Sequence, residues 1–180
     1  MRMTRGIKTI VTVFVVVLGA GLIGSCNLLG GLTSHMSIDG EQHSLANMYG
    51  AYGKSQLSDN YIFYVYFTSR GLKWDYVFEG SGDFLYLRFS SRDSKLAEGT
   101  YPAVVGNWPD DEMVGEGGAR VGYQADTGTY DARYVVSGGK VHVRRTLRGY
   151  DIEFELTAED GSTEVDITGS YRGTASMDRL

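Results

Sequence analysis

From residue 36 onward apolar and polar positions alternate with period two, and no helical period recurs. Tyr150, Ile152, Phe154 and Leu156 alternate with Asp151, Glu153, Glu155 and Thr157. Val165, Ile167, Gly169 and Tyr171 run against Glu164, Asp166, Thr168 and Arg172. Leu85, Leu87 and Phe89 alternate with Tyr86, Arg88 and Ser90, and Tyr130, Ala132, Tyr134 and Val136 follow the same rule. Each run predicts a strand with one face toward a core and one toward water. The stretch from Tyr61 to Phe67 is apolar on both faces, which predicts a central strand covered on both sides.

Turn chemistry falls between these runs. Asp39-Gly40, Gly138-Gly139 and Asp160-Gly161 are two-residue hairpin signals, because glycine accepts a positive φ; Arg148-Gly149 is a weaker one. The last third therefore reads as a meander of strands at 130–137, 140–147, 150–157 and 163–173. Earlier strands are expected at 35–38, 42–53, 60–68, 73–79, 84–90, 100–105 and 119–125. About ten short strands at this spacing predict an all-β antiparallel fold, either a β-barrel or a two-sheet β-sandwich. A parallel α/β sheet is excluded, since no crossover helix lies between the strands. Two stretches fall outside the pattern. Ser91 to Gly99 is polar with room for one helical turn, and Gly106 to Gly118 reads as the longest loop. Long loops on rigid β scaffolds often carry function.

The first 26 residues differ from the rest. Arg2, Arg5 and Lys8 precede a 15-residue uncharged stretch, Thr9 to Ile23, rich in Val, Ile and Leu. That is the form of a secretory signal, and at about 22 Å as a helix it is short of a ~30 Å hydrocarbon core. It ends in Leu22-Ile23-Gly24-Ser25-Cys26, at the chain's single cysteine. This segment resembles a bacterial lipobox, with Ile23 where Leu is usual and Ser25 where Gly or Ala is commoner. The resemblance implies lipidation of Cys26, a membrane anchor through N-terminal lipid, and, with Asn27 rather than Asp following, delivery to the outer membrane of the cell envelope. Residues 1–25 then form the signal peptide, 26–34 the lipidated N-terminus with a glycine-bearing tether, and 35–180 a single β domain.

The chain has 17 basic and 22 acidic residues, and its net charge is −5. Losing the signal removes three cations and leaves 14 basic against 22 acidic, a net −8. Charge therefore opposes adsorption to anionic lipid, and general nucleic-acid binding is excluded. The single cysteine excludes a disulfide framework and any multi-cysteine zinc site.

Further along, Leu96-Ala97-Glu98-Gly99-Thr100-Tyr101-Pro102 is followed by Ser137-Gly138-Gly139-Lys140-Val141-His142-Val143 and Gly149-Tyr150-Asp151-Ile152-Glu153-Phe154. Ile167-Thr168-Gly169-Ser170-Tyr171-Arg172-Gly173 closes the series. That order resembles small β-rich lipoproteins of Gram-negative gut anaerobes, some described as calycin-like barrels. The resemblance implies a calycin- or lipocalin-like fold and an envelope address, and it brings no catalytic residues.

Candidate chemistry is sparse. His35, His43 and His142 share no face that would make a metal site, and no metal or cofactor is expected. No Gly-x-Ser-x-Gly elbow occurs, and Asp151, Glu153 and Glu155 read as one solvated strand face. Asp110, Asp111, Glu112 and Glu116 are an acidic cluster without EF-hand spacing, read as charges that keep a loop soluble. Arg144 and Arg145 point to opposite faces, so they form no flat basic patch. What remains is aromatic: 13 Tyr, 7 Phe and 2 Trp. The surplus over ordinary cross-strand packing lies at Tyr64, Tyr66 and Tyr86, with Trp74 beside a polar turn and Trp108 in the long loop. Trp108, Trp74, Tyr64 and Tyr66 are the candidate ligand-binding residues, since aromatic faces in a cleft can hold sugars or small apolar molecules. The leading expectation is a membrane-anchored, non-catalytic binding module. A structural lipoprotein that binds another envelope protein and a hydrolase with an unrecognised site are the alternatives.

Overall fold

A computed structural model describes residues 34–104 and 112–180. Twelve strands make one sheet: β1 (His35–Ile38), β2 (Glu41–Ser44), β3 (Asn47–Lys54), β4 (Tyr61–Thr68), β5 (Leu72–Asp75), β6 (Val77–Ser91), β7 (Gly99–Pro102), β8 (Met113–Gln124), β9 (Ala132–Thr146), β10 (Gly149–Asp160), β11 (Thr163–Gly173) and β12 (Ala175–Arg179). The order across the sheet is β12-β3-β4-β6-β8-β9-β10-β11-β1-β2, with β5 paired to β6 and β7 to β9. All pairs between named strands are antiparallel except β12 with β3.

The sheet is strongly curled into a half-barrel. The chain itself requires the curl. β2 ends the strand order on one side, yet only Leu45 and Ala46 separate it from β3, next to last on the other. A flat sheet of ten strands at about 4.8 Å spacing would leave a gap two residues cannot bridge. At this seam the Leu45 N–H bonds to the Ser34 carbonyl at 2.9 Å, and the Ala46 N–H to the Thr68 carbonyl at 2.7 Å. His43 Nδ1 of β2 lies 3.1 Å from Asp83 Oδ2 of β6, and the other oxygen of that carboxylate accepts the Gly122 N–H of β8 at 2.8 Å. The clip therefore ties β2, at one end of the linear order, to the adjacent strands β6 and β8.

The concave face holds the core. Met36, Val65, Phe67, Leu85, Leu87, Phe89, Val141, Val143, Ile152, Phe154 and Ile167 are almost completely buried there. Phe67 of β4 meets Phe154 of β10 at 6.2 Å between ring centroids and Tyr171 of β11 at 5.5 Å, so strands far apart in order touch across the curl. Removing large apolar side chains from water contributes about 1.5–3 kcal/mol each, which holds the sheet closed on itself.

The expected all-β class holds, the meander of the last third runs as three strands where four were expected, and the single sheet replaces the two-sheet alternative. Several local expectations do not hold. Gly138-Gly139 makes no hairpin, because β9 runs through it as one strand, replacing the pair expected at 130–137 and 140–147. A register shift between Thr157 and Ala158 leaves Ser137 as the extra residue of a bulge, and the glycines pair beside it with Thr157 and Leu156, Gly139 at φ 107°. The strand expected at 73–79 breaks at Tyr76, φ 57°, into β5 and the start of β6, and the one expected at 42–53 divides into β2 and β3. Ser91 to Gly99 contains bends and no helical turn; buried Leu96 pins it. The loop read as Gly106 to Gly118 is shorter, because Met113–Gly118 already belongs to β8. β12 was not expected at all.

Candidate functional site

Alternation gives β4, β6 and β8 an outer face of their own. Tyr66 of β4 stands opposite Tyr86 of β6, and Tyr86 stands opposite Gly118 of β8, which faces Val135 of β9. One row across four strands thus reads Tyr, Tyr, Gly, Val. The glycine leaves a gap between the Tyr86 ring and Val135. A Cβ on Gly118 would lie 2.8 Å from the Tyr134 carbonyl oxygen, so the backbone of β9 itself borders the gap. The result is a groove of about 310 Å³ lined by Tyr66, Phe78, Phe84, Tyr86, Gly118, Arg120, Arg133 and Val135, with Glu116 at one end.

The β5–β6 hairpin builds the aromatic wall. It folds over the outer face of the sheet, so Trp74 stacks on Tyr66 at 5.1 Å and Tyr66 stacks on Tyr86 at 5.0 Å. Phe78 stacks on Phe84 at 4.7 Å and meets Tyr66 edge-on at 5.4 Å. Tyr123 closes the cluster edge-on against Phe84 at 5.4 Å. Phe84 is buried outside the main core, so the cluster forms a satellite core on the convex side. Offset and edge-on rings at these separations add to area burial.

Charge flanks the aromatic surface at both ends. At one end Glu116 is held by Arg88 at 2.9 Å. At the other, the Arg120 guanidinium lies over three rings, 5.7 Å from Phe84, 5.4 Å from Tyr123 and 5.2 Å from Tyr130. Burial pushes the hydroxyls of Tyr66 and Tyr86 above the ordinary tyrosine range, and the Glu116 carboxylate pushes them further the same way. Both remain protonated donors at neutral pH. The groove thus offers flat apolar rings, two hydroxyls, a carboxylate and guanidinium groups, a mixture suited to a ligand with one apolar face and a polar rim.

Of the four aromatic candidates, Trp74 and Tyr66 are brought together here in direct stacking. Tyr64 is on the same face of β4 but lines a different cavity, of about 530 Å³, with Leu57, Ile62 and Leu180. Trp108 and Cys26 lie outside the described residues, as do Asp110 and Asp111 of the acidic cluster. Phe78, Phe84, Gly118, Arg120, Tyr123 and Arg133 escaped the sequence reading. Their signal was the register of 84, 86 and 88 against 116, 118 and 120, hidden while the glycine run was read as loop. Asp151, read as solvated, is buried and tied to Arg172 and Arg144. Among the described residues no group of three or more His, Cys, Asp or Glu side chains could hold a metal ion. Comparison with protein-family models, curated proteins and solved structures finds no match.

Proposed function

We propose that the domain is a non-catalytic binding module that seats a ring-shaped ligand with one apolar face, a sugar above all, on the convex groove, and that lipid on Cys26 anchors it to the cell envelope, in the outer membrane. The observation that carries the binding reading is the wall of Trp74, Tyr66 and Tyr86 standing beside a strand position emptied by Gly118. Sugar rings pack their C–H faces on such aromatics while hydroxyls bond to flanking polar groups. Glu116, the carboxylate of the groove, is tied to Arg88, which suits a hydrogen-bond acceptor better than a free acid or base.

The binding test is calorimetry of the full chain against a panel of oligosaccharides. Tyr66→Ala and Tyr86→Ala, at two rings that line the groove, should each weaken the best binder by about 1–3 kcal/mol, the worth of an aromatic contact surface. Unchanged affinity in both variants, or no saccharide bound by the wild type, would remove this reading. Anchoring has its own test. Labelled palmitate should enter the wild type and be lost in Cys26→Ser, because the thioether needs the thiol and no other cysteine can supply it. Several acyl chains at about 0.8 kcal/mol per buried methylene make the attachment lasting. A mature mass matching an unmodified amino terminus would refute the anchor.

A further inference from the structure

Arg120 and Arg133 are directly opposite each other on β8 and β9, and both line the groove. Like charges facing across a strand pair repel and weaken the pairing. Neither guanidinium is engaged in an ion pair or side-chain hydrogen bond among the described residues. The other convex-side arginines differ. Arg88 holds Glu116, and Arg144 and Arg172 share Asp151. Arg120 is nonetheless half-buried, fixed in place by the rings of Phe84, Tyr123 and Tyr130. A cation over aromatic faces keeps its N–H donors at the ring edges free, so the stack orients the fork without using its hydrogen bonds. Arg133 also borders a shallow depression with Asp131, Glu159 and Asp160, so part of its charge is offset, and Arg120 is the stronger anion contact.

We infer that the ligand of this groove is an acidic sugar, whose ring lies on Tyr86 in the gap over Gly118 and whose carboxylate is received by Arg120 with support from Arg133. The inference rests on the saccharide reading above and narrows it to one class. A planar carboxylate matches the guanidinium fork, and the anion relieves the repulsion between the two arginines. Glu116 lies at the far end, neutralised by Arg88, where it can accept a hydroxyl rather than repel the ligand's charge.

The experiment measures affinity of the full chain for two matched pairs, trigalacturonic acid against its methyl ester, and sialyllactose against its methyl ester. In each pair the carboxylate separates the members. The acidic member of at least one pair should bind about ten- to a hundredfold tighter, a preference that shrinks as salt is raised. Arg120→Gln should erase the preference, lowering affinity for the acidic member more than for the uncharged one, and Arg120→Lys should restore part of it. Equal binding of both members overturns the acidic-sugar inference and leaves the saccharide platform standing. A preference that survives intact in folded Arg120→Gln also overturns it. Failure of every probe to bind overturns both. The wild-type comparison needs no variant, so a misfolded substitution cannot shield the proposal.

Discussion

At the level of single residues, two adjacent glycines show how differently the same side chain can be required. Gly138 has open space around the position a Cβ would take. Gly139 has φ 107°, and a Cβ there would lie 2.3 Å from the Glu155 carbonyl oxygen and 2.6 Å from the Leu156 Cα. Backbone atoms cannot rotate away as a flexible side chain can. Gly139→Ala should therefore lower stability in urea unfolding by about 1–3 kcal/mol, through a disfavoured φ and a forced shift of β10. Gly138→Ala should change it by less than about 0.5 kcal/mol, since an unhindered glycine in a strand gains from a side chain as much as it loses. A large loss at Gly138 with none at Gly139 would show that the crowded position is placed one residue off. Gly118 belongs to the second kind by contact, but its missing side chain also serves the groove.

At the level of strands, what could be read from the sequence was set by which signal had no competitor. β10 and β11 were legible because Ile152, Phe154 and Leu156, and then Val165 and Ile167, alternate without interruption, and all five are buried. The Asp39-Gly40 hairpin was legible because both residues take positive φ, as that turn demands. Glycine misled wherever it served something other than a turn. Within β9 it pairs beside a bulge, and within β8 it makes way for the Leu87 side chain on one face and the Tyr134 carbonyl on the other. A glycine pair in a hairpin and a glycine pair beside a bulge look alike until the partner strand is known. The division at Tyr76 was hidden for the opposite reason, since a tyrosine rarely takes positive φ and its neighbours alternate well. β12 was hidden because its pairing with β3 is parallel and spans most of the chain, beyond any local pattern. Half of the candidate site was legible on the same terms. Trp74 and Tyr66 were aromatics in excess of what strand packing needs, whereas Arg120 and Arg133 gained meaning only from their register.

At the level of the whole molecule, tyrosine burial sets the alkaline limit of stability. The hydroxyls of Tyr66, Tyr86, Tyr101, Tyr150 and Tyr171 are all raised above 10.0, with burial the first cause in each. Below about pH 10 these groups are protonated in both folded and unfolded chains, so they give stability no pH dependence. Above it the unfolded chain releases protons the folded one retains, so the unfolded state binds fewer and stability falls as pH rises. Urea midpoints should be flat from neutral to about pH 9 and drop by about pH 11, with cooperative loss of the native near-ultraviolet signal. A midpoint that stays constant through that range would mean the hydroxyls titrate freely in the native state. The strand order has a consequence in time as well. β1 completes its pairing only on β11, and Ser34 Oγ accepts the N–H of Arg172 across 138 residues of sequence. A chain emerging from the ribosome holds its first strand, with β2 beside it, long before the second partner of that strand exists. Loop closure over such separations is slow. The curled sheet is thus sealed from its end backward, and the nascent protein stays unsealed, and threadable, until nearly all of it has been made.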